Sequence, residues 1–171
     1  MATAFNLTAG QQAARNLFTV WLNVGTSAAK VWACVGKGVE DSSMEITIDK
    51  ETTTDILGVT RTKINALQRS MSFDSMTLEG DDAIILKLHN LLYDDDQTAL
   101  SNMEVMVVHG YAGDAGSYEA ELYPQSTLTP TAWGGISTVD VAVDIDFGGT
   151  KAKGTSTTFL PSSTPVWTAA T

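Results

Sequence analysis

Hydrophobic and polar positions alternate most cleanly along residues 139–147. Val139, Val141, Val143, Ile145 and Phe147 fall on one side, and Asp140, Ala142, Asp144 and Asp146 on the other. A period of two marks a strand with one buried face. The same pattern runs through residues 44–49, with Met44, Ile46 and Ile48 opposing Glu45, Thr47 and Asp49, and resumes at Met71 and Phe73. Tyr118, Ala120 and Leu122 alternate with Glu119, Glu121 and Tyr123, and residues 103–111 carry Val105, Met106, Val107 and Val108. Two earlier runs, residues 17–24 and 30–35, hold the β-branched and aromatic side chains that favour strands. A hairpin across Gly25 is expected to join them.

One segment has a different period. Ile84, Ile85, Leu88, Leu91 and Leu92 follow helical spacing and make one apolar face. Asp81 or Asp82 supplies the N-terminal cap, which predicts a helix over about residues 81–93. Asp94, Asp95 and Asp96 follow, and carboxylates at a helix C-terminus oppose the helix dipole and end it. Residues 50–61 have little apolar content beyond Ile56 and Leu57 and read as a long polar loop between strands. Gly148 and Gly149 suit a two-residue type I′ turn. That turn would pair Asp146 with Lys151 and Asp144 with Lys153. Trp133, Gly134 and Gly135 read as a turn. Residues 1–16 read as an N-terminal arm, 17–159 as one β-rich domain, and 160–171, with Pro161 and Pro165, as a tail anchored by Trp167. A chain of 171 residues is the size of one domain with arms.

Charge narrows the function. Twenty acidic residues against ten basic ones give −10, the wrong sign for gripping nucleic acid through its phosphates. Cys34 is the sole cysteine, which excludes an internal disulfide and fits a reducing compartment. The apolar stretches are too short to span a bilayer, so no membrane insertion is expected, and the N-terminus lacks the pattern of a signal peptide. His89 and His109 have no partners at metal-ligand spacing, and no catalytic, cofactor-binding or metal motif is expected. Asp144, Asp146 and Gly148 imitate part of a calcium loop, but its twelfth position is Thr155 instead of an acid. Residues 146–151 also look like the phosphate-binding turn of actin-like sugar kinases, but a Gly-Gly hairpin with flanking charge pairs explains every residue involved.

The order of these segments resembles the tail-tube (major tail) proteins of siphophages. An alternating strand leads into the Thr-rich stretch Glu51, Thr52, Thr53, Thr54, Asp55 and then Ile56 and Leu57. A second alternating segment around Met71 leads through Gly80 and Asp81 into the short helix, and later strands end in the acidic-apolar run to Phe147. The resemblance implies a mainly-β fold: a β-sandwich or half-barrel with one flanking α-helix and a long inter-strand loop. It implies a structural virion protein, not an enzyme and without cofactors. Six copies would form a ring, and rings would stack into a tube that conducts DNA without binding it specifically. Glu51 to Leu57 would be the inter-ring loop, and Glu45, Asp49, Asp140, Asp144 and Asp146 the acids facing the lumen. Partners would be the chain itself and tail proteins such as the tape measure and terminator, in a virion tail assembled in the host cytoplasm. Other readings are a ring-forming terminator or baseplate subunit, a contractile injection-tube subunit, or a monomeric β-sandwich binding module displaying Trp133 or Trp167.

Overall fold

In the computed structural model, residues 5–170 are described. Residues 1–4 of the arm and Thr171 of the tail lie outside the described residues. The order of elements is β1 (Phe18–Asn23), β2 (Trp32–Cys34), β3 (Met44–Thr54), β4 (Thr60–Thr77), α1 (Ala83–Tyr93), α2 (Gln97–Leu100), β5 (Met103–Asp114), β6 (Ser117–Gly134), β7 (Asp140–Phe147), β8 (Ala152–Ser156) and β9 (Trp167–Ala169). All strand pairings are antiparallel, in the order β2-β1-β5-β6-β7-β4-β3, with β8 and β9 continuing from β6. The fold is mainly β with one helix longer than a single turn, as the alternation predicted.

Strand β6 organises the sheet. Its first half pairs with β5 as far as Ser126, and its second half, from Thr127, pairs with β7. The two halves of the sheet then face each other across one core. Val20, Leu22, Val105 and Val107 come from one half, and Met71, Phe73, Val141, Val143 and Ile145 from the other. Helix α1 closes this core with Ile84, Ile85, Leu88 and Leu91. Asp82 caps the helix, its carboxylate accepting hydrogen bonds from the Ile84 and Ile85 amides. The predicted apolar face therefore holds except at Leu92, which is exposed. A smaller cluster of Trp21, Trp32, Met106, Val108, Ala120 and Leu122 lies on the opposite face of β1, β5 and β6, with Phe159 and Trp167 packed against it. Both faces of those strands are covered, which is why β1 and β5 read as nearly continuous apolar runs.

Several expectations need correction. The Gly148–Gly149 turn does not exist: β7 and β8 do not pair with each other. Both lie along the same edge of β6, Asp146 opposite Thr127 and Ala152 opposite Leu122. The six steps from Asp146 to Ala152 oppose five along β6, from Thr127 to Leu122, one extra residue as in a β-bulge. The glycines are required there because a methyl on Gly148 would sit 2.3 Å from the Gln125 carbonyl oxygen, and Gly149 has φ +77°. Asp144 thus neighbours Ser72 and Thr129, and Asp146 neighbours Ser70 and Thr127, instead of Lys153 and Lys151. Residues 50–61 are not a loop. They extend β3 and β4 into one long hairpin with its turn at residues 55–59. Trp133 and Gly134 end β6 instead of forming a turn. Asp96 does more than follow α1, since it caps the single turn α2 through the Ala99 amide.

Candidate assembly surfaces

Strands β3, β4 and β7 and the second half of β6 make a four-stranded sheet with one face on the core and one in solvent. Side-by-side pairing places Thr127, Asp146, Ser70 and Glu45 in one row across it. Thr129, Asp144 and Ser72 form the next row, and Thr47 and Asp49 lie beside Gln68 and Ala66. Directly paired residues point the same way, and alternate residues of one strand share a face. All five predicted acids, Glu45, Asp49, Asp140, Asp144 and Asp146, therefore share the solvent face of this sheet. Asp140 accepts hydrogen bonds from the Thr77 and Thr138 hydroxyls, each at 3.0 Å. Among the described residues no lysine or arginine forms an ion pair with any of the five. The face carries Lys63 and Arg61 only toward the hairpin tip, opposite Glu51 and Thr53.

Among the described residues the same sheet has two free edges. β3 is unpaired on its outer side, and so is β6 from Thr127 to Gly134, because β5 leaves β6 at Ser126. The edges lie at opposite ends of the four-stranded array, and long free edges are templates for pairing with another chain.

The hairpin projects from this sheet. On its core side Met44 pairs with Met71, Ile46 with Arg69, Ile48 with Leu67 and, after a bulge, Lys50 with Ile64. Met71 is buried, but Ile46, Ile48, Ile64 and Leu67 are all more than 40 % exposed. The Thr residues continue the ladder, with Thr52 and Thr54 hydroxyls bonded to those of Thr62 and Thr60. At the tip the Asp55 carboxylate accepts from the Leu57 and Val59 amides, both at 2.9 Å, and Gly58 adopts φ +78°. This turn holds Ile56 and Leu57 in solvent at 102 % and 83 % exposure. Neither belongs to the subunit's own core.

A second exposed apolar surface lies on α1. Leu86, Leu92 and Tyr93 of the helix are exposed, as is Trp133 beside it. His89 ties the helix to the end of β6, stacking on Tyr93 and tilting against Trp133 at 5.8 Å between centroids.

One polar cluster was not foreseen. Glu121 accepts hydrogen bonds from Lys151 Nζ at 2.5 Å and from the Tyr123 hydroxyl at 2.6 Å. Burial alone would raise its pKa, but these partners overcome it and hold the carboxyl below its usual value of 4.5. Nearby, burial lowers the pKa of His109, whose Nδ1 lies 2.9 Å from the Tyr111 hydroxyl. The glutamate and histidine lie on neighbouring strands, and nothing in their sequence spacing announces the cluster. Cys34 is equally inert, its thiol pushed up to about 11 by burial. No group of three or more His, Cys, Asp or Glu among the described residues is placed to hold a metal ion.

No protein-family model and no curated protein matches the sequence. Solved structures do match the fold. One is a chain of the sheath–tube complex of an extracellular contractile injection system, PVC, in its extended state; it is 7% identical, with a TM-score of 0.50 over 85% of this chain and 93% of that one. Another is the cap that terminates the tube of the anti-feeding prophage, 13% identical, with a TM-score of 0.48 over 91% of this chain and 99% of that one. The chain therefore shares the fold of a chain of that sheath–tube complex.

Proposed function

We propose that this chain is a structural tube subunit, closing head to tail into hexameric rings that stack into the tube of a phage tail or a related injection machine. The observation that carries this reading is the four-stranded sheet with free edges at both ends and one solvent face holding all five acids. Its strands alternate in direction, so β3 of one copy meets β6 of the next in antiparallel order, as every other pair in the sheet does. A heterologous contact of this kind either closes into a ring or runs on as a filament. Six such sheets, with strands ~4.8 Å apart and tilted ~40°, make a cylinder about 50 Å across at the backbone. That width admits a DNA duplex.

Chemistry plays no part in the role. A conduit must let DNA pass, and carboxylates on its wall repel phosphates that lysines would hold. Six copies at −10 each bring −60 to a ring. The hairpin, with Ile56 and Leu57 at its tip, reaches beyond the sheet to a subunit of the next ring. Further partners are the tape measure and terminator, in a virion tail assembled in the host cytoplasm. Negative-stain electron microscopy of the purified protein tests the proposal. Long hollow tubes are expected; isolated rings would indicate a terminator or baseplate subunit, and monomers would refute self-assembly.

A further inference from the structure

Among the described residues nothing covers the core-side face of the β3–β4 hairpin. Ile46, Ile48, Ile64 and Leu67 continue the apolar side of the sheet past the point where the core stops at Met44 and Met71. A two-stranded ribbon standing alone in water is marginally stable at best. Two cations share this face, the half-buried Arg69 beside Ile46 and the exposed Lys50 beside Ile64. Neither forms an ion pair among the described residues.

The α1 surface has the complementary character. Leu92, Tyr93 and Trp133 are exposed apolar groups, and Asp94, Asp95 and Asp96 follow directly at the C-terminal end of the helix. The helix dipole adds its negative end to those three carboxylates. Trp133 also sits on the core side of β6, because it pairs with Val141. That is the side on which Ile46 and Ile48 project from β3. If β3 of one copy adds to the free edge of β6 in another, the hairpin's apolar face comes to the side of the sheet that bears Trp133 and α1.

We propose that the apolar-cationic face of the β3–β4 hairpin docks on the α1–Trp133 surface of a second copy, with Lys50 and Arg69 turned toward the acidic end of the helix. This inference rests on the head-to-tail reading of the tube. It adds a specific partner surface for the hairpin, one that edge pairing does not require.

Two variants test it. One carries Ile46→Glu and Ile48→Glu and has no hairpin face; the other carries Tyr93→Glu and Trp133→Glu and has no receiving surface. None of the four side chains belongs to the buried core, Ile48 at 41 % and Trp133 at 38 % exposure being the least exposed, so both proteins should keep the wild-type circular dichroism spectrum. Each alone should be monomeric in mass measurement. Mixed in equal amounts they should form a one-to-one dimer, since the intact hairpin of the second fits the intact surface of the first and neither can propagate further. A mixture that stays monomeric, or a variant that still polymerises alone, overturns the docking. As a second measurement, Lys50→Glu with Arg69→Glu should lower polymer yield at least tenfold, and adding Asp94→Lys should recover part of it. No recovery counts against the charge pairing. If wild-type protein is itself monomeric, the head-to-tail reading fails. If wild type polymerises while the variants do so equally well, only the docking fails.

Discussion

At the scale of single residues, the five acids of the sheet were legible because strand geometry is strict. A side chain at every second position returns to the same face, and Val141, Val143 and Ile145, all buried, fix the opposite face in the core and leave the acids facing outward. Glu121 was not legible. Tyr123 shares its face two positions along β6, but Lys151 reaches it through the pairing of β6 with the chain beyond β7, which local alternation does not encode. Replacing it with Gln removes the charge that Lys151 and Tyr123 both bond. The site is partly open to water, so a loss of about 1–2 kcal/mol in denaturant unfolding is expected. The pH dependence has a definite sign. Glu121 has a depressed folded-state pKa, so its contribution is complete above its ordinary value of 4.5 and disappears as pH falls through the folded value. Burial also depresses His109, so protonation favours the unfolded chain once pH drops below its ordinary 6.5. Stability should therefore be level from pH 8 to 7 and decline on acidification. His109→Gln should flatten the first part of that decline, below pH 6.5, in urea unfolding measured at stepped pH. Asp82 is a simpler case. Its carboxylate serves two amides at the start of α1, and Asp82→Ala should cost about 1 kcal/mol by the same measurement.

At the scale of elements, α1 and most strands followed from their periods, whereas the connections did not. Gly148 and Gly149 looked like a turn because two glycines meet the dihedral demands of a type I′ hairpin. They meet those of a bulge equally well, and the long-range edge of β6 decides between them. β6 itself runs through Pro124 and Pro130, residues that argue locally against a strand. Residues 50–61 were polar and Thr-rich, which suits a loop, but threonine is also a good strand former when two such runs can face each other. Thr52 with Thr62 and Thr54 with Thr60 form such facing pairs. A hairpin of this kind contributes little to its own subunit's core. Replacing residues 50–65 with Asn-Gly joins Asp49 to Ala66, which already face each other, through a two-residue turn. The shortened protein should keep its circular dichroism spectrum and its solubility but form no long tubes. Normal tubes would remove the hairpin from assembly, and an unfolded product would show that the ribbon supports its own subunit.

At the scale of the whole molecule, charge separates conduit from binder. Among the described residues no other element covers the sheet face that bears the acids, while the apolar residues of the same strands build the core. A closed ring turns such a face either to the lumen or to the outside, and free edges at both ends of the sheet allow both. The curvature of a twisted sheet closing around a channel favours the lumen, since the core, the helix and the second half of the sandwich all lie on the other side and need the larger radius. Three replacements decide the question: Glu45→Lys, Asp144→Lys and Asp146→Lys. None of these acids pairs with a base among the described residues, so the subunit should fold and assemble as before. Asp140 is left intact because the Thr77 and Thr138 hydroxyls hold it. The changes move each chain from −10 to −4 and place lysines in rows along the proposed channel wall. Wild-type tubes should retain no duplex DNA at low salt. The lysine tubes should retain it, with an affinity that falls as salt rises by a slope of roughly −0.9 for each phosphate contacted. Bound DNA must also be protected from nuclease, because a channel hides it and an outer surface does not. DNA held by the lysine tubes yet digested as fast as free DNA would place the acidic face on the outside of the tube, and the hairpin and α1 toward its axis.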